Sequence, residues 1–202
     1  MKSGTLLLTS IGLSSPNVLS RFLEIVGDTK NKQVAIITTA AEGKEVNKYS
    51  QLAHKQFVDL GFSGVDFVDL EADPTKDLSP YGVIYVCGGN TFKLLKFALT
   101  ANFKNSVESL LKMGGVYIGV SAGSIIVGPS VKIADEVQPD PNEVGISDFS
   151  GLGIIKEIVL PHYSPEIEEQ VKIFENKHNV IIDRIDNSQA ILVQEGYKTI
   201  IE

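Results

Sequence analysis

Cysteine and histidine are scarce in this sequence, which limits the kinds of site that it can build. A single cysteine, Cys87, leaves no partner for an internal disulfide and too few thiolates for a cysteine-rich zinc site. The only histidines are His54, His162 and His178. Neither a G-x-G-x-x-G pattern after the first predicted strand nor a P-loop lysine occurs, which argues against nucleotide binding. We therefore expect neither a metal nor a cofactor.

Clustered positive charge and long apolar runs are also missing. The 18 lysines and arginines are scattered and are outnumbered by 25 acidic residues, which gives a formal net charge of -7. Nucleic-acid-binding proteins usually carry a basic stripe, so no nucleic-acid partner is expected. No apolar segment is long enough to cross a bilayer, and no leader pattern precedes the first strand. The sequence predicts a cytoplasmic protein without a membrane partner.

Short apolar runs alternate with helical patterns through most of the chain. Strands are predicted at residues 4–10, 32–40, 64–70, 81–89, 114–120, 156–163, 179–185 and 189–194. Helices are predicted at residues 14–27, 45–60, 91–99, 105–113 and 166–178, and loops with short strands at 129–153. This alternation indicates an α/β fold with a mainly parallel sheet sandwiched by helices. Because no repeat or linker divides the 202 residues, we expect one domain over residues 1–202.

The pentapeptide Gly119–Gly123 matches the pattern G-x-S-x-G, with Ser121 at its centre. It follows a predicted strand and precedes a short apolar segment. A serine on such a sharp turn is lifted clear of the sheet, and flanking glycines remove side chains that would clash there. The pattern predicts that Ser121 is a nucleophile. The alternative is a glycine turn that only packs a helix on a strand.

A serine nucleophile needs a base, and His162 is the histidine best placed to supply it. It ends the apolar run EIVLPHY, and the working crevice of an open parallel sheet lies at the carboxyl ends of its strands. The alternative is a strand-end histidine bonded to a carbonyl. His54 lies inside a predicted helix and His178 near the end of another, so both are expected to be structural.

The acid that would orient the base is left open by the residues themselves. Six carboxylates lie between the two predicted catalytic residues: Asp135, Glu136, Asp140, Glu143, Asp148 and Glu157. The pair Asp135 and Glu136 ends a strand-like run, residues 131–136. Each of the six taken alone is also compatible with a solvated loop charge.

A Gly-Gly turn follows the fourth predicted strand and supplies candidate oxyanion donors. The amides of Gly88 and Gly89, together with that of Ala122, could meet over one substrate oxygen. The alternative is a strand-to-helix turn without a ligand, with Thr91 capping the next helix. Cys87 is expected to be a small buried strand residue. A cysteine amidotransferase is disfavoured because Ser121, and not Cys87, occupies the elbow.

Three motifs in order, CGGNTFKLL, IGVSAG and LPHY, resemble the peptidase E family of serine peptidases. The similarity extends over nearly the whole chain and implies a class I glutamine-amidotransferase-like, three-layer αβα fold. It also implies a Ser-His-acid triad, cofactor-free hydrolysis, and dipeptides with an N-terminal aspartate as substrates. Ser121 and His162 match the family's nucleophile and histidine, and ungapped counting from the elbow places the acid at Glu136, with Asp135 as the fallback.

One departure from the family pattern concerns substrate choice. Lys132 stands about where the aspartyl dipeptidases have an arginine, so the positive charge is kept while the bidentate grip on a carboxylate is lost. The predicted partner is a short peptide, and a homodimer is a further possibility. The alternatives to a dipeptidase are a cyanophycinase-like hydrolase and a non-catalytic small-molecule binding module of the same fold. An esterase of the ordinary α/β-hydrolase fold usually needs a longer chain.

Overall fold

A computed structural model describes residues 4–202; residues 1–3, which the predicted domain also includes, lie outside them. The strands are β1 (Thr5–Thr9), β2 (Gln33–Ile37), β3 (Gly64–Val68), β4 (Val83–Val86), β5 (Val116–Val120), β6 (Ile158–Leu160), β7 (Ile182–Arg184), β8 (Ala190–Gln194) and β9 (Tyr197–Ile201). The helices are α1 (Pro16–Val26), α2 (Lys48–Asp59), α3 (Thr91–Thr100), α4 (Phe103–Lys112), α5 (Ala122–Ile125), α6 (Ile133–Glu136) and α7 (Glu168–His178).

The main sheet has seven strands in the order β3-β2-β4-β5-β1-β8-β9. Its first five members are parallel, whereas β8 and β9 add an antiparallel hairpin at one edge. Strands β6 and β7 form a separate parallel pair. Because β5 lies between β4 and β1, the carboxyl ends of these three strands lie side by side. Open α/β sheets bind their ligands at that edge.

Helices cover both faces of the sheet because its central strands are apolar on both sides. Along β1, Leu6 and Leu8 join an apolar cluster that includes α3, α4 and α7, whereas Leu7 joins a second cluster. The second cluster contains Phe22 of α1 and Phe57 of α2. This period of two is that of a strand buried on both faces. The three layers confirm the predicted fold class.

Three local predictions differ from the structure. The run at residues 131–136, expected to resemble a strand, ends in the helical turn α6. The cap of α3 is Asn90 rather than Thr91, because the Asn90 side chain accepts the Lys93 N–H at 2.8 Å. Strand β9 was not predicted. None of the helices within residues 4–202 has the length and apolar character that crossing a membrane requires.

Candidate active site

Ser121 joins β5 to α5 in a backbone conformation that non-glycine residues rarely adopt. Its φ is 49° and its ψ is -109°. Such a conformation persists only where the surrounding structure enforces it, and conformations of this kind cluster at active sites. The side chain is half-buried, and within residues 4–202 its hydroxyl makes no hydrogen bond. The serine is therefore held at the carboxyl end of the central strand with its oxygen uncommitted.

The two glycines of the pentapeptide let the backbone of the turn fold onto its neighbours. A Cβ at Gly119 would lie 2.6 Å from the Gly123 carbonyl oxygen. A Cβ at Gly123 would lie 2.8 Å from the carbonyl oxygen of Val86 in β4. Real Cβ atoms do not approach backbone oxygens this closely. The spacing of the motif is thus a steric requirement of this turn, as the sequence predicted.

A buried polar network fastens the turn from below. The Tyr117 hydroxyl donates to the Gly123 carbonyl at 2.7 Å, and burial raises the pKa of that phenol well above its usual range. Ser124 Oγ accepts the Thr9 N–H at 2.9 Å and lies 2.9 Å from the Gly119 carbonyl oxygen, to which it can donate. Because these groups are fully buried, their hydrogen bonds resist rearrangement. The network fixes the turn to both β1 and β5.

His162 and Ser121 are both anchored at the carboxyl end of β1. The Ser121 N–H donates to the Thr9 carbonyl at 2.9 Å, and the His162 N–H donates to Ser10 Oγ at 2.9 Å. His162 also has a positive φ of 55° and an exposed side chain. The structure therefore brings the two predicted residues to one end of the sheet. Within the described chain, no hydrogen bond joins the serine hydroxyl to the imidazole.

The hydrogen-bond partner of the His162 ring is Asn187, a residue that the sequence interpretation missed. Nδ1 of His162 lies 2.8 Å from Oδ1 of Asn187. Asn187 follows β7, just as His162 follows β6, so the parallel pairing of these two strands carries both residues to the same edge. A search for polar residues after every predicted strand, and not only for carboxylates before His162, would have found it.

Glu136 and Asp135 do not meet the His162 ring. The Glu136 carboxylate instead binds Lys177 Nζ at 2.8 Å and His178 Nε2 at 3.0 Å, and so links α6 to the end of α7. The hydrogen bond from Lys177, followed by that from His178, holds the pKa of Glu136 below its usual value. The side chain of Asp135 is exposed. This geometry gives Glu136 a structural partner and does not support its assignment as the orienting acid.

The Glu136 contacts predict a pH-dependent contribution to stability. Because the pKa is lowered in the folded state, the contribution is present above the ordinary value of 4.5 and is lost as the pH falls through the folded-state pKa. We expect Glu136→Gln to lower the melting temperature at neutral pH and to have little effect at about pH 3. Melting curves of Asp135→Asn serve as the control. Equal losses at both pH values would show that the ion pairs contribute nothing.

The Gly-Gly turn lies directly beside the serine. A Cβ at Gly88 would be 3.1 Å from Ser121 Cβ. Gly89 has φ +138°, and a Cβ there would overlap the Ala40 carbonyl oxygen at 2.0 Å, so only glycine fits. Neither glycine N–H has a backbone acceptor within residues 4–202, and the amide of Ala122 lies at the first position of α5, where no helical acceptor exists. Three amides near Ser121 are therefore available to a ligand.

The remaining candidate acids are exposed or accept hydrogen bonds from other residues. Asp140 accepts the Thr91 N–H at 2.8 Å, and Asp148 accepts the Ser150 N–H at 2.9 Å. Glu143 is exposed, and Glu157 accepts the neighbouring Lys156 N–H at 3.1 Å.

Cys87 is buried as predicted, and burial raises the pKa of its thiol to about 11, which makes it a poor nucleophile. His54 of α2 stacks on Phe67 of β3, and His178 ends α7, so both have the structural positions expected. No group of three histidine, cysteine or carboxylate side chains in the described part of the chain could hold a metal ion.

The protein has an α/β fold in which a serine in a strained strand-to-helix turn and a histidine are anchored at the same end of the sheet. The chain belongs to peptidase family S51, whose model matches residues 6–201. It is 34% identical over 197 residues to an uncharacterized peptidase of Pasteurella multocida (strain Pm70), covering 93% of both chains. It is 29% identical over 133 residues to peptidase E of Nostoc sp. (strain PCC 7120), covering 66% of this chain and 53% of that protein.

A solved structure shows the same architecture. The chain superposes on a candidate peptidase E protein from Listeria monocytogenes EGD-e with a TM-score of 0.80 at 27% identity, over 98% of both chains. A peptidase from an acI-B1 actinobacterium shares the fold with a TM-score of 0.71 at 20% identity. These comparisons confirm the predicted family and support a peptidase as the general function.

Proposed function

We propose that this peptidase is a serine-type enzyme that hydrolyses short peptides through an acyl-enzyme. The observation that carries the proposal is the strained backbone of Ser121. A residue that only turned the chain would be glycine or asparagine, because a serine in this conformation costs on the order of 1–3 kcal/mol. The buried network under the turn maintains that strain while leaving the hydroxyl free of hydrogen bonds. This is the arrangement that an exposed nucleophile requires.

His162 acts as the base and then as the acid. Its ring takes the Ser121 proton while the hydroxyl oxygen attacks the peptide carbonyl, and it then gives that proton to the leaving amine. Water hydrolyses the acyl-enzyme by the same proton transfers in the reverse direction. The backbones of the two residues are anchored at consecutive positions, Thr9 and Ser10, at the carboxyl end of β1, which supports a direct proton transfer between them. Catalytic hydrogen bonds often tighten only when substrate is bound.

The amides of Gly88, Gly89 and Ala122 form the proposed oxyanion hole. Their N–H groups flank Ser121 and have no competing backbone acceptor in residues 4–202. They stabilise the negative charge that develops on the carbonyl oxygen in the tetrahedral intermediate. Loss of one such donor typically slows the reaction by about 100- to 1,000-fold.

Dipeptides with an N-terminal aspartate are the proposed substrate class. The experiment is hydrolysis of cyanophycin and of a dipeptide panel with acidic, basic and apolar first residues, together with labelling by a serine-directed phosphonate. We expect hydrolysis and stoichiometric labelling at Ser121. Labelling with activity only on cyanophycin would instead indicate the cyanophycinase-like alternative. Absence of both labelling and hydrolysis would indicate a binding module and overturn the proposal.

We propose that Lys132 binds the carboxylate of the substrate side chain. It is exposed at the start of α6 and forms no ion pair within residues 4–202, so its charge is available. We expect Lys132→Ala to lower kcat/KM for dipeptides with an acidic first residue by about tenfold and to leave apolar ones unchanged. Steady-state kinetics measure this, with the exposed Lys156→Ala as the control. An equal loss of kcat/KM for all dipeptides of the panel would show that Lys132 does not bind a substrate carboxylate.

A further inference from the structure

We infer that Asn187 is the orienting residue of the catalytic histidine and that the triad is Ser121, His162 and Asn187, with an amide in place of the acid. The inference rests on the proposed serine mechanism. Its first support is the 2.8 Å contact between Oδ1 of Asn187 and Nδ1 of His162. With the amide oxygen facing the ring, Nδ1–H is the donor in the tautomer that we infer, because an amide oxygen can only accept a hydrogen bond. Nε2 is then left with the lone pair that a base needs.

The loop that carries Asn187 is organised to present this side chain. The Asp186 carboxylate, next to Asn187, accepts hydrogen bonds from the Ser188 N–H at 2.7 Å and the Gln189 N–H at 3.1 Å. These bonds tighten the turn and hold the pKa of Asp186 below its usual value, with the Ser188 hydroxyl as the largest cause. The carboxylate of Asp186 is thus engaged in the turn, whereas the amide of Asn187 faces the imidazole.

A single buried hydroxyl ties this loop to the histidine. Ser10 Oγ accepts the His162 N–H at 2.9 Å and donates to the Asp186 carbonyl at 2.8 Å. The Tyr163 N–H also donates to the Ile185 carbonyl at 3.0 Å, which continues the pairing of β6 with β7 beyond the strands. The backbones on either side of the pair are therefore fixed before substrate arrives. These backbone hydrogen bonds support Asn187 as a residue that fixes the orientation of the His162 imidazole.

Within residues 4–202, no carboxylate forms a hydrogen bond with the His162 ring. The side chains that form hydrogen bonds with His162 in the described chain are Asn187, Ser10 and Gln138, whose Nε2 donates to the His162 carbonyl at 3.4 Å. All of these are neutral. Two carboxylates considered for this role are engaged elsewhere: Asp186 in its own turn, and Glu136 with Lys177 and His178. An amide fixes the tautomer of the ring but does not stabilise the imidazolium as a carboxylate would.

The first test is spectroscopic and does not depend on finding a substrate. With only three histidines, ¹⁵N-labelled imidazoles can be assigned by substitution of the other two. We expect His162 to be the Nδ1–H tautomer in the wild type and in Asn187→Asp, and a mixture of tautomers in Asn187→Ala. Glu136→Gln serves as the control and should leave the tautomer unchanged. An Nε2–H tautomer in the wild type, or no change in Asn187→Ala, would overturn the inference.

The second test is kinetic. We expect Asn187→Ala to lower kcat by about tenfold, since it loses one hydrogen bond to the ring, with KM nearly unchanged. Asn187→Asp should move the acidic limb of the kcat/KM profile to higher pH by about one unit, because the carboxylate stabilises the imidazolium. An unshifted limb, or a larger loss of kcat in Glu136→Gln than in Asn187→Ala, would return the role to Glu136. Wild-type hydrolysis that survives Ser121→Ala would instead refute the proposed function itself.

Discussion

Ser121→Ala is expected to abolish peptide hydrolysis while leaving the folded protein nearly as stable as the wild type. Removal of a triad serine in other enzymes slows catalysis on the order of a million-fold. The free energy of unfolding should change by less than about 1 kcal/mol, because the lost hydroxyl makes no hydrogen bond within residues 4–202. Alanine also keeps the Cβ atom beside Gly88. The measurements are kcat/KM on the best dipeptide of the panel and a urea unfolding curve.

Ser124→Ala is the matched control, three positions away, with the opposite expected profile. Ser124 Oγ accepts the Thr9 N–H and is fully buried, so its removal leaves that donor unpaired. The expected cost is about 1–3 kcal/mol of unfolding free energy, with hydrolysis still detectable. If Ser121→Ala retained activity, the elbow would have no part in the reaction.

Gly119→Ala is expected to damage both activity and stability. Gly119 pairs with Leu8 of β1 and Val86 of β4, and an added Cβ would lie 2.6 Å from the Gly123 carbonyl oxygen. Because that oxygen belongs to backbone, the turn itself must shift. Overpacking of this kind costs about 1–3 kcal/mol, and a displacement of the nucleophile by about 1 Å costs about 100-fold in rate. Unfolding curves and dipeptide kinetics measure the two effects.

Gly64→Ala is the control that separates the backbone clash at position 119 from the general effect of replacing a strand glycine by alanine. Gly64 also lies in a parallel strand, but a Cβ there would meet only the flexible Gln33 side chain, at 3.3 Å. Alanine at this position should leave the rate unchanged and alter stability by less than about 0.5 kcal/mol. Wild-type kinetics in Gly119→Ala would show that the close approach of the two backbones does not position Ser121.

The central layers of the fold could be predicted because the buried strands have a recognisable sequence pattern. Uninterrupted apolar stretches such as residues 6–8 and 116–118 indicate strands that are covered on both faces. Strand β9 gave no such signal, because it lies at the edge and its residues are mostly exposed. It is set by the turn at Glu195 and Gly196, both with positive φ. Helix α6 is a single turn, too short for any period to appear.

The site divides in the same way between local and non-local information. The elbow is local, since its glycines and serine are five consecutive residues whose steric demands can be read directly. The residue bound to the His162 ring cannot be read from neighbouring sequence, because its place depends on the pairing of β7 with β6. That pairing sets Leu160 opposite Arg184, 24 positions later in the chain. Counting along the chain from Ser121 pointed to Glu136, which lies on a helical turn facing α7. Asn187 is also not a carboxylate, although its amide oxygen meets the same hydrogen-bonding requirement.

The proposed nucleophile and the proposed base follow strands of different sheets. Ser121 follows a strand of the seven-stranded sheet, whereas His162 follows one of the two strands of the smaller pair. The Ser10 hydroxyl, which bonds the His162 backbone and the loop after β7, joins the two assemblies. The distance between the side chains of Ser121 and His162 therefore depends on how the β6–β7 pair packs against the seven-stranded sheet. Substitutions in the pair formed by β6 and β7 are therefore expected to alter turnover while the backbone of residues 119–123 keeps its conformation.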